Sequence, residues 1–194
     1  MEKIMYSGAK LPIVNFQTRV RNNEIEGDNP FEWKTVSSDE LFGSGRNVIF
    51  SLPGAFTPTC STYQLPDFER LMSEGAFDEF GIDNIYCVSV NDSFVMNKWA
   101  EDQRLQNVKV VPDGSGEFNR KLGMLVYKNN LGFGMRSWRY AMIVTDGVVE
   151  AFLPEPGLRD DADDDPYGES SPQNVLNVLA DLKQGNAIRF GTYG

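Results

Sequence analysis

Three short apolar runs constrain the fold of this chain more than any other feature: residues 47–52 (NVIFSL), 84–90 (NIYCVSV) and 108–111 (VKVV). Each has the length and the content of strand formers that a buried β-strand needs. Between the second and third, Phe94, Met96, Lys98, Trp99 and Leu105 give residues 93–106 a pattern that suits a helix. Strand, helix and strand in that order predict a crossover unit with parallel strands. Residues 11–23 read as an early strand or hairpin. Further on, residues 137–145 and 148–153 flank Asp146-Gly147, a dipeptide whose tolerance of positive φ closes a tight hairpin. Val175, Val178, Leu179 and Leu182 recur at i, i+3, i+4 and i+7 behind Ser171-Pro172, an N-cap followed by a first helical proline. That stripe predicts a last helix packed on the sheet. The acidic block at residues 160–165 (DDADDD) cannot bury itself and reads as an exposed loop; it lacks the spacing of an EF-hand calcium loop. Too few residues follow it to build a second core, so residues 1–194 read as one mixed α/β domain.

The chemistry concentrates where the first run ends, in Pro53-Gly54-Ala55-Phe56-Thr57-Pro58-Thr59-Cys60-Ser61. Thr57-Pro58 reads as an N-cap and a first helical proline, which puts Cys60 in the first turn, beside backbone N–H groups without helical partners. A negative charge is favoured in such a place. A thiol with an ordinary pKa near 8.5 is only about 3% ionised at pH 7, whereas one brought to about 6 at a helix N-terminus is about 90% ionised, a difference of roughly 3.4 kcal/mol. The Thr57 hydroxyl can donate to the sulfur or to a substrate oxygen, and Pro53 and Pro58 stiffen the loop against water. The competing reading is an inert packed thiol, since free cysteines are among the most buried residues. A strand-to-helix junction is where open α/β sheets place their sites, which favours the reactive reading.

Composition removes several other classes. With 18 Lys+Arg against 28 Asp+Glu, the net charge of −10 disfavours nucleic acid and anionic membrane surfaces, and no local basic patch reverses it. No apolar run approaches the ~20 residues of a membrane span. The start, residues 1–4 (MEKI), lacks the basic and apolar segments of a secretory leader, and two cysteines cannot build a disulfide scaffold. A reducing, cytoplasmic setting is expected. The chain has no histidine, which leaves no His-based triad, zinc site or proton shuttle.

Pro53-x-x-x-Thr57-x-x-Cys60 resembles the active-site signature of the peroxiredoxins, thiol peroxidases of thioredoxin-like fold with a central mixed β-sheet flanked by helices. Residues 54–61 (GAFTPTCS), 88–96 (VSVNDSFVM), 112–118 (PDGSGEF) and 136–142 (RSWRYAM) are similar in order and spacing to the type V subgroup, and the resemblance runs over about residues 10 to 183. In particular it is similar to the peroxidase half of bacterial peroxiredoxin–glutaredoxin hybrids; here the sequence ends after the last helix, with no glutaredoxin part. The resemblance implies that Cys60 attacks the O–O bond of a hydroperoxide and becomes a sulfenic acid. It implies that Thr57 hydrogen-bonds the peroxide and the sulfur, that Pro53 shields the sulfenate, and that Arg139, from the strand at 138–141, holds Cys60 ionised and polarises the peroxide. Arg136, three positions earlier, is expected on the other face of a regular strand and outside the catalytic set. No metal or organic cofactor is implied; glutathione or another thiol serves as co-substrate.

Cys87 lies in an apolar strand and reads as structural. Type V members that form an internal disulfide carry the second cysteine much later, where residues 160–173 here contain none. This departure implies a one-cysteine mechanism, recycled by glutathione with a glutaredoxin, or alternatively by thioredoxin. Many relatives also carry a histidine shortly after the reactive cysteine, where this chain has Ser61-Thr62-Tyr63-Gln64-Leu65-Pro66. Phe56, Phe94, Trp99, Phe133 and Trp138 are expected mostly in the core. The family resemblance also implies a homodimer through Phe56, Phe94 and the Gly132-Phe133-Gly134 turn. A noncatalytic redox sensor or chaperone on the same scaffold is the main rival; it gains nothing obvious from Thr57 and Arg139. A thioredoxin-type reductase is weaker still, since Cys60-Ser61-Thr62-Tyr63 supplies one cysteine of a CxxC pair.

Overall fold

A computed structural model describes residues 5–186. The start read above for a leader, residues 1–4, lies outside the described residues. Strands β1 (Asn15–Arg21) and β2 (Phe31–Ser37) form an antiparallel hairpin and lead through α1 (Ser38–Phe42) into β3 (Arg46–Ser51). Helix α2 (Leu65–Ser73) follows, then β4 (Asn84–Ser89), α3 (Ser93–Asp102) and β5 (Val108–Pro112). After α4 (Glu117–Leu122) come β6 (Leu125–Tyr127) and β7 (Met135–Ser137), a small antiparallel pair. The chain closes with β8 (Tyr140–Thr145), β9 (Val148–Pro154) and α5 (Pro172–Gln184). The central sheet has the order β5-β4-β3-β8-β9. Strands β3, β4 and β5 are parallel, while β8 runs antiparallel to β3 and β9. This is the thioredoxin-like, mixed-sheet architecture expected.

Period-two alternation splits the core into two layers. Val48, Phe50, Cys87, Ala141 and Ile143 face Phe68 of α2, Trp99 of α3 and Val175 and Leu179 of α5. Ile49, Tyr86, Val88, Met142 and Val144 face Phe16, Phe42, Phe118 and Leu122. Phe50 and Phe68 stack with centroids 4.2 Å apart, which locks α2 onto β3, and α2 continues the turn that carries Cys60.

Two local expectations change. Residues 137–145 do not make one strand, because Ser137 pairs in the small sheet while β8 begins at Tyr140. Trp138-Arg139 spans the step between sheets, so Arg139 is not a ladder residue and its side chain can enter the interior. Helix α3 stops at Asp102, short of Gln106, where Arg104 turns to φ 54°. The Asp146-Gly147 turn has φ values of 49° and 75°, as the hairpin demands. Among the aromatics, Trp99 and Trp138 are core, but Phe56, Phe94 and Phe133 are 51%, 59% and 38% exposed. No helix among the described residues is long and apolar enough to cross a membrane.

A buried polar knot ties the layers together. Asn119 donates to Asp113 (2.8 Å) and accepts from Ser137 (2.8 Å) and the Tyr140 hydroxyl (3.0 Å), while Ser51 bonds Ser137 (2.8 Å). Asn119→Ala removes the acceptor of the Tyr140 hydroxyl, while Asp113 keeps the N–H groups of Phe118 and residue 119 and Ser137 keeps Trp138 O, at about 1–3 kcal/mol in all. Urea unfolding is expected to show a loss of about 1–3 kcal/mol. Glu69 of α2 makes a second tie, accepting from the backbone N–H groups of Gln106, Asn107 and Val108. Burial pushes its carboxyl up, yet those bonds bring it below its ordinary value of 4.5. The stability it contributes is therefore complete above that value and fades as pH falls through the lowered one. Glu69→Gln should lose about 1 kcal/mol at pH 7 and show a flatter decline of Tm with acidification than the parent.

Candidate active site

β3, the central strand, delivers the chain to Leu52, and the loop from Pro53 to Thr57 leads from its end into the next helical segment. Pro53 and Gly54 are buried, and Asn91, beyond the end of β4, accepts from Ala55 N (3.0 Å) and from Ser89 (2.7 Å). Phe56 adopts φ 63°, a left-handed conformation that costs a bulky side chain roughly 1–2 kcal/mol. Such strain persists where its surroundings over-determine it, and here the ring lies 6.4 Å from that of Trp99. A helical segment starts at Pro58, as the proline predicts, and the chain is π-helical over Cys60–Gln64, with Leu65 N donating to Cys60 O. Trp99 Nε1 donates to Ser61 Oγ (3.0 Å) and pins this turn to α3. Cys60 is fully buried.

Arg139 reaches it from the step before β8. Its Nη1 donates to Cys60 Sγ (3.4 Å) and to Gln64 Oε1 (2.5 Å), and its Nη2 contacts both Asp165 oxygens (2.6 and 2.8 Å). The Tyr167 ring covers the guanidinium at 5.7 Å. Burial alone would lower the pKa of Arg139, but the charges at Cys60 and Asp165 outweigh it and hold the side chain cationic. Tyr167 is pushed up to about 12, mainly by burial, so it stays a neutral phenol. One donor is left over: Arg139 Nε is buried with no partner among the described residues.

The remaining predicted residues sit differently. Thr57 Oγ1 donates to Gly54 O (2.8 Å), so with its proton spent it can only accept from anything approaching Cys60. Arg136 stays off the sulfur, donating from Nη1 to Val90 O (3.1 Å) and running along Gly54, where an added Cβ would meet that nitrogen at 3.2 Å. Cys87 lies fully buried in the same layer as Cys60, its thiol raised well above the ordinary value by burial and then by the Cys60 charge. Sequence reasoning missed Gln64 and Asp165. Gln64 carried a signal, since four positions after Cys60 on a helix is the same face.

A buried, reduced thiol against a buried cation at a strand-to-helix junction is the equipment for attack on an electrophile that gains negative charge. The chain's likeness to known proteins identifies which. The chain matches the Redoxin family model over residues 15–165. It is 59% identical over 170 residues to a peroxiredoxin of Rhizobium etli, covering 88% of this chain and 94% of that one. This chain belongs to the peroxiredoxins. Its 46% identity over 177 residues with the hybrid peroxiredoxin hyPrx5 of Haemophilus influenzae, covering 91% of this chain and 67% of that protein, places it in the type V subgroup. The Plasmodium falciparum antioxidant protein (1-Cys peroxiredoxin) superposes with a TM-score of 0.82 at 32% identity, covering 90% of this chain and 99% of that one. The peroxiredoxin is thus an oxidoreductase, a peroxidase that reduces peroxide with electrons from a thiol.

Proposed function

We propose that this peroxiredoxin works through Cys60 alone, reducing hydrogen peroxide and small organic hydroperoxides, and that glutathione with a glutaredoxin returns Cys60 to the thiol. The observation that carries this reading is the Arg139 Nη1 contact with Cys60 Sγ in a chain whose second cysteine is buried and held protonated. The thiolate attacks the nearer peroxide oxygen; an S–O bond forms as the O–O bond breaks, and the sulfur loses two electrons. The leaving oxygen takes a proton and departs as water or an alcohol. Arg139 stabilises the charge moving onto that oxygen, which lowers the transition state more than the ground state. The orphaned Nε–H suits this task, since it meets a partner only when substrate arrives. Thr57 accepts from the hydroperoxide O–H, and Pro53 excludes water from the sulfenic acid.

A first glutathione thiol then displaces water from the sulfenic acid, giving a mixed disulfide with Cys60. A second thiol, presented by glutaredoxin, frees Cys60 and carries the disulfide away. Residues 160–173 contain no cysteine to intercept the sulfenate, and the structural likeness to a protein described as 1-Cys supports the same reading. The hybrid relative favours glutathione and glutaredoxin over thioredoxin. Glutathione as co-substrate fits a reducing, cytoplasmic setting and a reaction that needs no metal or organic cofactor. The exposed Phe56, Phe94 and Phe133 support a homodimer through the edge beside the loop.

Coupled turnover decides the reductant. With hydrogen peroxide, NADPH consumption should be at least about tenfold faster with glutathione, glutaredoxin and glutathione reductase than with thioredoxin and its reductase. Cys87→Ser should keep that turnover. A Cys60–Cys87 disulfide in the oxidised protein, or equal support by thioredoxin, would overturn the mechanism or the reductant respectively.

A further inference from the structure

Five N–H groups surround a guanidinium, and in Arg139 the two terminal nitrogens are taken by Cys60, Gln64 and Asp165. Asp165 comes from the acidic block, and an ion pair with a partly exposed carboxylate is ordinarily worth ~0–1 kcal/mol and little else. This one differs because the strap that carries Asp165 is fastened on both sides. Upstream, Asp160 accepts from Tyr127 N (2.8 Å), Asp161 accepts from Asn129 N (2.7 Å), Lys128 Nζ donates to Ala162 O (3.2 Å), and Ala162 is buried. Downstream, Gly168 N and Ser170 N both donate to the buried Glu155 (2.8 Å each), whose own N–H donates to Arg139 O (2.9 Å). The acidic loop is therefore exposed as expected, yet held at fixed points, and the fastening downstream is built on the arginine's own backbone. Asp165 faces an arginine whose side chain is 1% exposed.

We infer that Asp165 is a positioning residue for peroxide reduction. The strap fixes the roll of the Arg139 guanidinium over Cys60, so that Nη1 stays on the sulfur and Nε–H is the donor left for the peroxide. Without Asp165 the cation remains, but Nη2 is released and the plane is set by Gln64, the thiolate and the Tyr167 ring. The inference rests on the peroxidase reading of Cys60 and Arg139 given above, and adds to it a residue that touches neither substrate nor sulfur.

The test compares wild type, Asp165→Ala and Asp165→Asn by stopped-flow oxidation with hydrogen peroxide, by the rate of Cys60 alkylation with iodoacetamide, and by Tm. Alkylation uses the same thiol but has no peroxide oxygen to orient. Asp165→Ala is expected to slow peroxide oxidation about tenfold, with alkylation changed less than about threefold and Tm nearly constant; Asp165→Asn, which keeps one acceptor oxygen, should fall between. Parallel loss of both reactions with a lowered Tm would reduce the strap to a structural support and overturn the inference. An unchanged or faster peroxide reaction would overturn it too, the latter showing that Asp165 restrains the arginine. Cys60→Ser in the same series keeps the two claims apart. Peroxide reduction that survived it would remove the parent reading, whereas Cys60-dependent oxidation indifferent to Asp165 would remove only the strap's role.

Discussion

Cys60→Ser is expected to abolish peroxide reduction while the protein still folds. Serine is nearly isosteric, so the buried site keeps its shape, and a hydroxyl facing Arg139 remains hydrogen-bonded. What disappears is the nucleophile. A serine needs a base to ionise it, and this chain contains no histidine to act as one. Mass spectrometry after one equivalent of hydrogen peroxide should find a single added oxygen, ~16 Da, on the wild type, trapped as a sulfenic-acid adduct, and none on Cys60→Ser. Cys87 does not substitute for it, because burial raises that thiol and leaves it protonated, whereas the Arg139 guanidinium donates to the Cys60 sulfur. An oxygen adduct on Cys87 in the Cys60→Ser protein would show that the sheet opens far more readily than its packing implies. Turnover should fall to the background of the coupling system, a loss of at least about a thousandfold.

Much of this site is legible in the sequence because its chemistry is local. Pro53, Thr57 and Cys60 lie within one loop and one helical turn, so spacing alone fixes their relation; Thr57-Pro58 announces the helix start and Asp146-Gly147 announces the hairpin. Arg139 could be chosen only through the family resemblance. Its approach to Cys60 depends on the β3–β8 pairing and on the step between two sheets, neither of which leaves a local mark. Asp165 was the least legible. It stands among like charges at residues 160–165, and nothing in the sequence separates it from Asp164, which instead pairs with the exposed Arg159. The choice is made by where the strap is fastened, through Tyr127 and Asn129, 33 and 32 residues before the aspartates they hold, and through Glu155. The aromatics failed in the opposite direction. Hydrophobicity assigns Phe56 and Phe94 to the core, but Phe56 is held outward by its loop, and Phe94 packs edge-on against Trp33 at the surface, beneath the Arg19 cation.

Arg139→Ala and Arg139→Lys separate charge from geometry. Alanine removes the donor to the sulfur and the unpartnered Nε–H, and deletion of a preorganised donor of this kind lowers rates by about 10²–10³. The same change leaves Gln64 Oε1 buried without its cation, at about 1–3 kcal/mol, which for a domain of this size lowers Tm by roughly 2–4 °C per kcal/mol. Lysine restores the positive charge on a flexible stem. A single ammonium cannot reach Cys60, Gln64 and both oxygens of Asp165 and still offer a separate donor to the peroxide. If attraction between unlike charges were the whole contribution, Arg139→Lys would recover most of the rate. The planar arrangement around Arg139 predicts otherwise: stopped-flow oxidation of Arg139→Lys should stay within about tenfold of the alanine variant, even where its Tm returns towards the parent. The reason is that a lysine drawn to the strap carboxylate is a lysine drawn away from the sulfur, whereas the fork of an arginine serves both at once.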